Sequence, residues 1–303
     1  MDLLADGLKF PEGPVVMPDG SVILVEIMSG NVTRVSPDGG KQIVAHTGGG
    51  PNGAAMGPDG KLYVCNNGGF HWPKTDGFLV PHGIAEDYTT GRIERIDLNS
   101  GAAEMLYQTG DHGCVLRGPN DIVFDAHGGF WFTDLGKQDF GARAQDIVGI
   151  FYAKADGSHI EEVIFPVTTP NGIGLSPDGR TLYAAETMTG RLNKYDVTAP
   201  GKVDMTSGVG GPGTPIYGAS GLKYYDSMAV EACGNICVAT IGECGISVIS
   251  PAGELVEFVE TDDIFTTNIA FGGDDMMDAY ITLSGTGRLM KMRWPRPGLK
   301  LKY

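Results

Sequence analysis

Six polar residues stand at one recurring position of this chain: Glu12, Asn52, Asn120, Asn171, Asp226 and Asn268. Each opens a short apolar run that ends in a tight turn. Pro170-Asn171-Gly172 leads to Pro177-Asp178-Gly179, Pro51-Asn52-Gly53 to Pro58-Asp59-Gly60, and Pro11-Glu12-Gly13 to Pro18-Asp19-Gly20. Pro119-Asn120-Asp121 leads to Asp125 and Gly128, and Tyr225-Asp226-Ser227 to Glu231 and Gly234. In these five units the polar residue and the turn glycine are equally spaced. A sixth, looser copy starts at Thr267-Asn268 and turns through Gly272-Gly273-Asp274. Brought together, two carboxylates and four amides make an oxygen-only donor set. That set suits a hard divalent cation, Ca2+ first, with Mg2+ or Mn2+ next; zinc prefers at least one His or Cys. Without a cation, converging carboxylates repel one another and hold their protons more tightly. A single Asn here is accounted for by its turn-forming habit, but six polar residues at one repeat position favour a ring.

The elements that must position them follow from what lies past each turn. A second strand is expected at Val22 to Val25, Leu62 to Cys65, Phe130 to Thr133, Thr181 to Ala184, Ile236 to Ala239 and Ala279 to Thr282. A third begins near Gly30, Gly91, Gly149, Gly190, Gly245 and Gly287. A fourth is clearest at Gln42 to Ala45, Glu104 to Tyr107, Glu161 to Phe165 and Leu255 to Val259, and in the unit after Asn171 is expected near Lys202 to Met205. Six units of four antiparallel strands predict an all-β fold, a six-bladed β-propeller forming one domain over residues 1–303. The polar residues then start the innermost strands and ring one mouth of the central channel. The ends of the second strands should bring Glu26, Asn66, Asp134, Glu186 and Thr240 to the same face as a second ring. Closure needs a terminal strand: Asp2 to Leu8 beside Leu289 to Arg293, or the tail Leu299 to Tyr303. Two insertions, Asn67 to Thr90 and Thr109 to Gly118, lie on the mouth face, and long loops of this kind often serve as lids.

Composition narrows the partners. The net charge of −15 argues against nucleic acid and anionic membrane as partners, since both repel an acidic surface. The start of the chain shows no basic-then-apolar leader and no apolar run is long enough to span a bilayer, so a cytoplasmic location is expected. The five cysteines do not form a disulfide framework. Cys233, Cys237 and Cys244 lack a nearby His and zinc spacing, and read as buried structural thiols. A monomer is the default expectation.

The chain resembles the gluconolactonase, regucalcin (senescence marker protein) and luciferin-regenerating enzyme family, with diisopropylfluorophosphatase as a more distant relative on the same fold. The resemblance is carried by Phe10-Pro11-Glu12-Gly13-Pro14, Pro119-Asn120-Asp121 with Trp131-Phe132-Thr133-Asp134, Pro170-Asn171-Gly172, Asp226-Ser227-Met228 and Asn268-Ile269-Ala270-Phe271-Gly272-Gly273. It implies a divalent metal at the channel mouth, bound by Glu12, Asn120, Asn171 and Asp226. Ca2+ is the common choice; Mg2+, Mn2+, Zn2+ or Fe2+ are accepted alternatives. Asn52, Asn268 and Asp134 then fall around the metal or in the substrate wall. The implied activity is metal-dependent hydrolysis of a sugar or related small lactone to its hydroxy acid. In that reaction the metal polarises the carbonyl and Asp226 is the candidate general base for an attacking water.

One departure concerns recognition. Many sugar-lactonase members carry a basic residue two positions before the Asn that matches Asn120; here that position is Gly118, with Arg117 one residue earlier. The insertion holding Phe70, His71, Trp72, His82 and Tyr88 is aromatic and suits a less polar lactone. His71 and His82 are candidate acid–base groups, though a His in a glycine-rich loop is more often a surface residue. Three other readings share the scaffold: a phosphotriesterase-like hydrolase on the same metal site, a recruited isomerase or lyase, and a non-catalytic binding propeller.

Overall fold

The computed structural model describes residues 1–75, 77–206, 208 and 213–303. Six antiparallel sheets are arranged as blades, each opened by one of the six repeat units. Blade 1 comprises Pro11–Val16, Val22–Glu26, Asn31–Val35 and Lys41–His46; blade 2, Pro51–Met56, Leu62–Asn66, Arg92–Ile96 and Ala103–Gln108. Blade 3 comprises Pro119–Phe124, Gly129–Asp134, Val148–Lys154 and Ile160–Val167. Blade 5 comprises Tyr224–Val230, Ile236–Ile241, Gly245–Ile249 and Leu255–Glu260. Blade 6 comprises Thr266–Gly272, Asp278–Leu283, Arg288–Arg293 and, from the other end of the chain, Asp2–Ala5. The N-terminal strand therefore closes the ring, with Leu3 paired to Met290.

Blade 4 differs from expectation. Its first three strands are Pro170–Leu175, Thr181–Glu186 and Arg191–Ala199. The third strand is long enough to pair twice. Its far end forms a short hairpin with Lys202–Val203, while its body pairs with Thr214–Gly218. Thr214–Gly218 is thus the main outer strand of the blade, and the expected segment near Lys202 is only a hairpin extension.

Apolar residues on the two faces of each blade alternate with the strand period, so a blade buries itself only against its neighbours. Among the described residues the core divides into six clusters, and each joins two adjacent blades. Tyr63, Ile93 and Tyr107 of blade 2 pack with Ile122, Phe130 and Phe132 of blade 3, and Leu24 and Val35 of blade 1 with Tyr280 and Leu289 of blade 6. Of the cysteines read as buried, Cys237 lies in this core, whereas Cys233 is exposed and Cys244 half-exposed. Cys233 sits in the turn after the inner strand of blade 5, where the chain reverses at the surface.

The tail takes a different course from the closing strand. Leu299 donates its N–H to Val230 in blade 5, Lys302 reaches Ala126 O, and Tyr303 packs edge-on against Phe124 in blade 3. It crosses the face of the Pro-Asp-Gly turns, opposite the polar ring. Among the described residues, no helix is long and apolar enough to cross a membrane.

Candidate metal centre and its lid

The six repeat-position residues are all buried: Glu12, Asn52, Asn120, Asn171, Asp226 and Asn268. Two local devices set them. First, the register slips at this position in the inner strand pair of every blade, between Glu12 and Val15, Pro51 and Ala54, Pro119 and Ile122, Pro170 and Ile173, Tyr225 and Met228, and Thr266 and Asn268. A bulge of this kind re-aims a side chain that a regular strand would turn elsewhere. Second, adjacent inner strands nearly touch. A Cβ on Gly53 would lie 2.3 Å from Asn120 O, and one on Gly172 2.6 Å from Asp226 O. Glycine after the polar residue lets the next blade come this close.

The electrostatics are those of a crowded anionic centre. Burial pushes the Glu12 and Asp226 carboxyls above the usual range, and for Asp226 the charges of Glu12 and Asp121 add to it. Asp121 is a third carboxylate, pushed up to about 7 by burial and by Glu12. Its oxygens accept the N–H groups of Ile122 and Ile173 (2.9 and 3.2 Å), which fixes it behind the ring. Glu12 Oε2 accepts from Asn268 Nδ2 (2.9 Å) and from its neighbour Gly13 N (3.0 Å). Asn171 Nδ2 donates to Thr187 Oγ1, turning the amide oxygen towards Ser227 Oγ at 3.5 Å. Asn120 Oδ1 is buried with no hydrogen-bond partner.

An orphaned amide oxygen among repelling carboxylates needs a positive partner. The residues present therefore fit a divalent cation. Because four of the six ring residues are amides, no cluster of three His, Cys, Asp or Glu side chains poised around a metal occurs among the described residues.

The expected second ring has a different job. Glu26, Asn66, Asp134, Glu186 and Thr240 pair across the strands with the residue before each ring position. Strand alternation turns them to the other face, where they tie down loops and neighbouring strands. Asp134 accepts three backbone N–H groups, from Arg117, Gly118 and Gly136 (2.7, 2.7 and 2.8 Å). Asn66 Oδ1 accepts from Gly50 and Gly68, and Glu26 accepts from Lys9 N and Thr33 Oγ1.

The insertion between the second and third strands of blade 2 reaches three other blades. Trp72 packs on Phe10 (5.2 Å between ring centroids), two residues before Glu12, and Phe10 in turn meets Phe265 of blade 6 (5.8 Å). Leu79 N donates to Gly285 O (2.7 Å), in the turn between the second and third strands of blade 6. His82 stacks on Phe140 (4.6 Å) in a further insertion between the second and third strands of blade 3, whose hairpin pairs Gln138–Asp139 with Ala144–Gln145. That hairpin escaped the sequence reading because its strands are two residues long and polar. His71 and His82 are exposed and joined through their backbones. Arg117 is exposed, 3.7 Å from Asp146. It lines a cleft of about 700 Å³ beside blade 3, with His112, Asp146 and Phe165; none of the six ring residues lines this cleft.

Lys137, three residues past Asp134, is the residue that sequence reasoning missed. It is 5% exposed. Its ammonium donates to Gly69 O (2.7 Å) and Asn67 Oδ1 (3.2 Å) and lies over the rings of Phe70 (4.1 Å) and Tyr88 (5.2 Å). Burial pulls its pKa down to about 7 against the opposing charges of Asp134 and Asp146. A lone Lys in a polar stretch carries no periodicity, so only the contact with the lid marks it.

Comparison with known proteins agrees with this architecture. Residues 10–285 match the model of the SMP-30/Gluconolactonase/LRE-like region. Lactonase drp35 of Staphylococcus epidermidis is 28% identical over 253 residues, covering 83% of this chain and 67% of the relative. A gluconolactonase from Xanthomonas campestris has the same fold (TM-score 0.74, 18% identity, 96% of this chain and 88% of that one). So does regucalcin, a calcium-binding protein from Agrobacterium tumefaciens (TM-score 0.74, 18% identity, 99% and 97%). With a ring of oxygen donors at the mouth of a six-bladed propeller and a family match over nearly its whole length, the chain belongs to the SMP-30/gluconolactonase/LRE-like family.

Proposed function

We propose that this protein is a lactonase that hydrolyses a small lactone to its hydroxy acid. The observation that carries the reading is the unpartnered Asn120 Oδ1 beside Glu12, Asn171 and Asp226. This donor set lies in a family whose relatives include a protein named lactonase. Glu12, Asn120, Asn171 and Asp226 would hold a divalent cation, Ca2+ first, consistent with the calcium-binding regucalcin on the same fold. When bound, such an ion supplies Lewis-acid polarisation of the lactone carbonyl and offsets the charge that develops on its oxygen.

The chain's own residues do the rest. Asp226 takes a proton from the attacking water as the water oxygen bonds to the carbonyl carbon. The ring C–O bond then breaks, and the proton passes to the departing alkoxide to give the hydroxy acid. Asn268 holds the Glu12 carboxylate by its 2.9 Å bond, and Asp121 is kept off the centre by its backbone partners. The lid, held by the contact of Trp72 on Phe10, would shield the reacting centre from bulk water.

The test is hydrolysis of a panel of aldonolactones and less polar γ- and δ-lactones, followed by acid release. EDTA-stripped protein would be assayed with and without Ca2+, Mg2+, Mn2+ and Zn2+. Metal-restored turnover on at least one lactone is expected. Tight metal binding with no turnover on any lactone would overturn the reading.

A further inference from the structure

We propose that Asn67 and Lys137 form an anion-binding subsite beneath the lid, and that the lactone taken by this protein carries a carboxylate which this pair holds. The inference rests on the lactonase reading above for the reaction, but on separate residues for the recognition.

The pair lies on the mouth side of the propeller. Asn67 is one residue past the second strand of blade 2, and its N–H donates to Gly50 O, two residues before Asn52 of the ring. Its side-chain oxygen stands 2.3 Å from where a Cβ on Gly50 would be, so no larger residue fits between it and the entry to the inner strand. Lys137 follows the second strand of blade 3, the blade that supplies Asn120.

Donors outnumber acceptors there. Lys137 has three N–H groups and two protein acceptors, Gly69 O and Asn67 Oδ1. Asn67 Nδ2 is buried and has no partner at all. No carboxylate forms an ion pair with Lys137 among those of the described residues. Asp134 is occupied by three backbone N–H groups, and Asp146 Oδ2 accepts the backbone N–H of Lys137 itself at 2.9 Å. In a protein of net charge −15 this buried amine feels the charges of Asp134 and Asp146 but bonds its side chain to neither. An ammonium serving only to fasten the lid would leave neither a spare N–H nor an orphaned amide beside it, because each costs stability when buried.

The shape of the vacancy in the bonding pattern selects the ligand. The two open donors sit on adjacent groups, since Lys137 Nζ donates to Asn67 Oδ1 at 3.2 Å. A planar, two-oxygen acceptor bridges them, with one oxygen on Lys137 and the other on Asn67 Nδ2. Phe70 and Tyr88 wall the ammonium, which favours a compact anion on a small carbon frame. Burial of the free amine outweighs the charges of Asp134 and Asp146, and a carboxylate bound directly to it would push its pKa back up. Ring opening of such a lactone yields a hydroxy diacid.

The experiment compares γ-butyrolactone γ-carboxylate with its primary amide, in wild type, Lys137→Met and Asn67→Asp. The Asp variant keeps the Oδ1 acceptor of Asn67 and replaces only the unpartnered donor, so it guards against a Lys137→Met protein that fails to fold. The kcat/KM ratio of acid to amide is expected to fall at least about tenfold in both variants, chiefly through KM. Calorimetric binding of α-hydroxyglutarate, the ring-opened acid, should weaken by a similar factor in each. An unchanged ratio together with unchanged binding would overturn the subsite. If wild type hydrolyses neither lactone, the lactonase reading loses support while calorimetry still decides the subsite. Binding that is at least tenfold tighter to wild type than to both variants sustains it, and equal binding ends it.

Discussion

Asp226 and Asp134 are both buried carboxylates of the mouth face, yet their surroundings give them different work. Asp226 has one backbone partner, Ser227 N at 3.1 Å, and repelling neighbours in Glu12 and Asp121. Such surroundings cost stability rather than add to it. Asp226→Asn should cut kcat at least about 100-fold, the usual worth of a general base, while Ca2+ binding, read by calorimetry, persists. Turnover near wild type would remove Asp226 from the base role. Asp134 spends both oxygens on three backbone N–H groups. Its pKa is still raised to about 6, because burial outweighs those bonds. Asp134→Ala leaves the three donors without their acceptor and should cost about 3 kcal/mol or more in urea unfolding. A loss under about 1 kcal/mol would show that water replaces the carboxylate.

The lid is an element held by side chains rather than by a sheet. Among the described residues, its backbone contacts with the rest of the mouth include Leu79 N to Gly285 O and Asn67 N to Gly50 O. The remainder is aromatic: Trp72 on Phe10, Phe70 edge-on to Trp72 at 6.4 Å, and His82 on Phe140. Segments with few backbone ties open locally at low free-energy cost. Trp72→Ala should therefore free the lid without unfolding the blades. Trypsin cleavage after the exposed Lys74 is expected to accelerate about fivefold or more, with thermal unfolding moved by only a few degrees. Equal cleavage rates would mean that the Phe10–Trp72 contact does not hold the lid. The residues of the insertion suggested an aromatic cover suited to a less polar substrate. The folded lid adds a buried cation to it, so the cover is aromatic at its walls and positive at one point.

At the scale of the whole molecule, closure gathers charge at one axis. Glu12, Asp121 and Asp226 come from blades 1, 3 and 5, and each is raised above its ordinary value by burial first. A carboxyl whose folded pKa exceeds its unfolded one contributes stability below the unfolded value, and this is lost as pH rises through the folded value. With Asp121 at about 7 and Asp134 at about 6, metal-free protein should show a Tm that falls between about pH 4.5 and pH 7. Lys137, lowered to about 7, acts above that window, since its contribution is lost as pH falls from its unfolded value towards 7. Surface aspartates such as Asp19 and Asp97 are shifted downward and titrate below it. Saturating Ca2+ should flatten the fall, because a bound cation favours the ionised carboxylates. Scanning calorimetry across pH with EDTA and with Ca2+ checks this; a metal-free Tm that rises over the window would contradict it.

The repeat made the fold and the ring legible in the sequence alone. Five equally spaced units and a looser sixth, each running from a polar residue to a turn glycine, predicted the blade count and the identities of Glu12, Asn52, Asn120, Asn171, Asp226 and Asn268, because turn chemistry and strand period are local properties. Tertiary structure alone decided the rest. The bulges and the close approach at Gly53 and Gly172 aim the ring inward and send Asp134 and its counterparts outward, a choice of face that one residue of register reverses. Closure went to Asp2–Ala5 and not to the tail because pairing partners at opposite ends of a chain leave no local trace. Lys137 and Asn67 are 70 residues apart in sequence and fall outside the repeat position; only the packing of two blades and a lid makes a site of them.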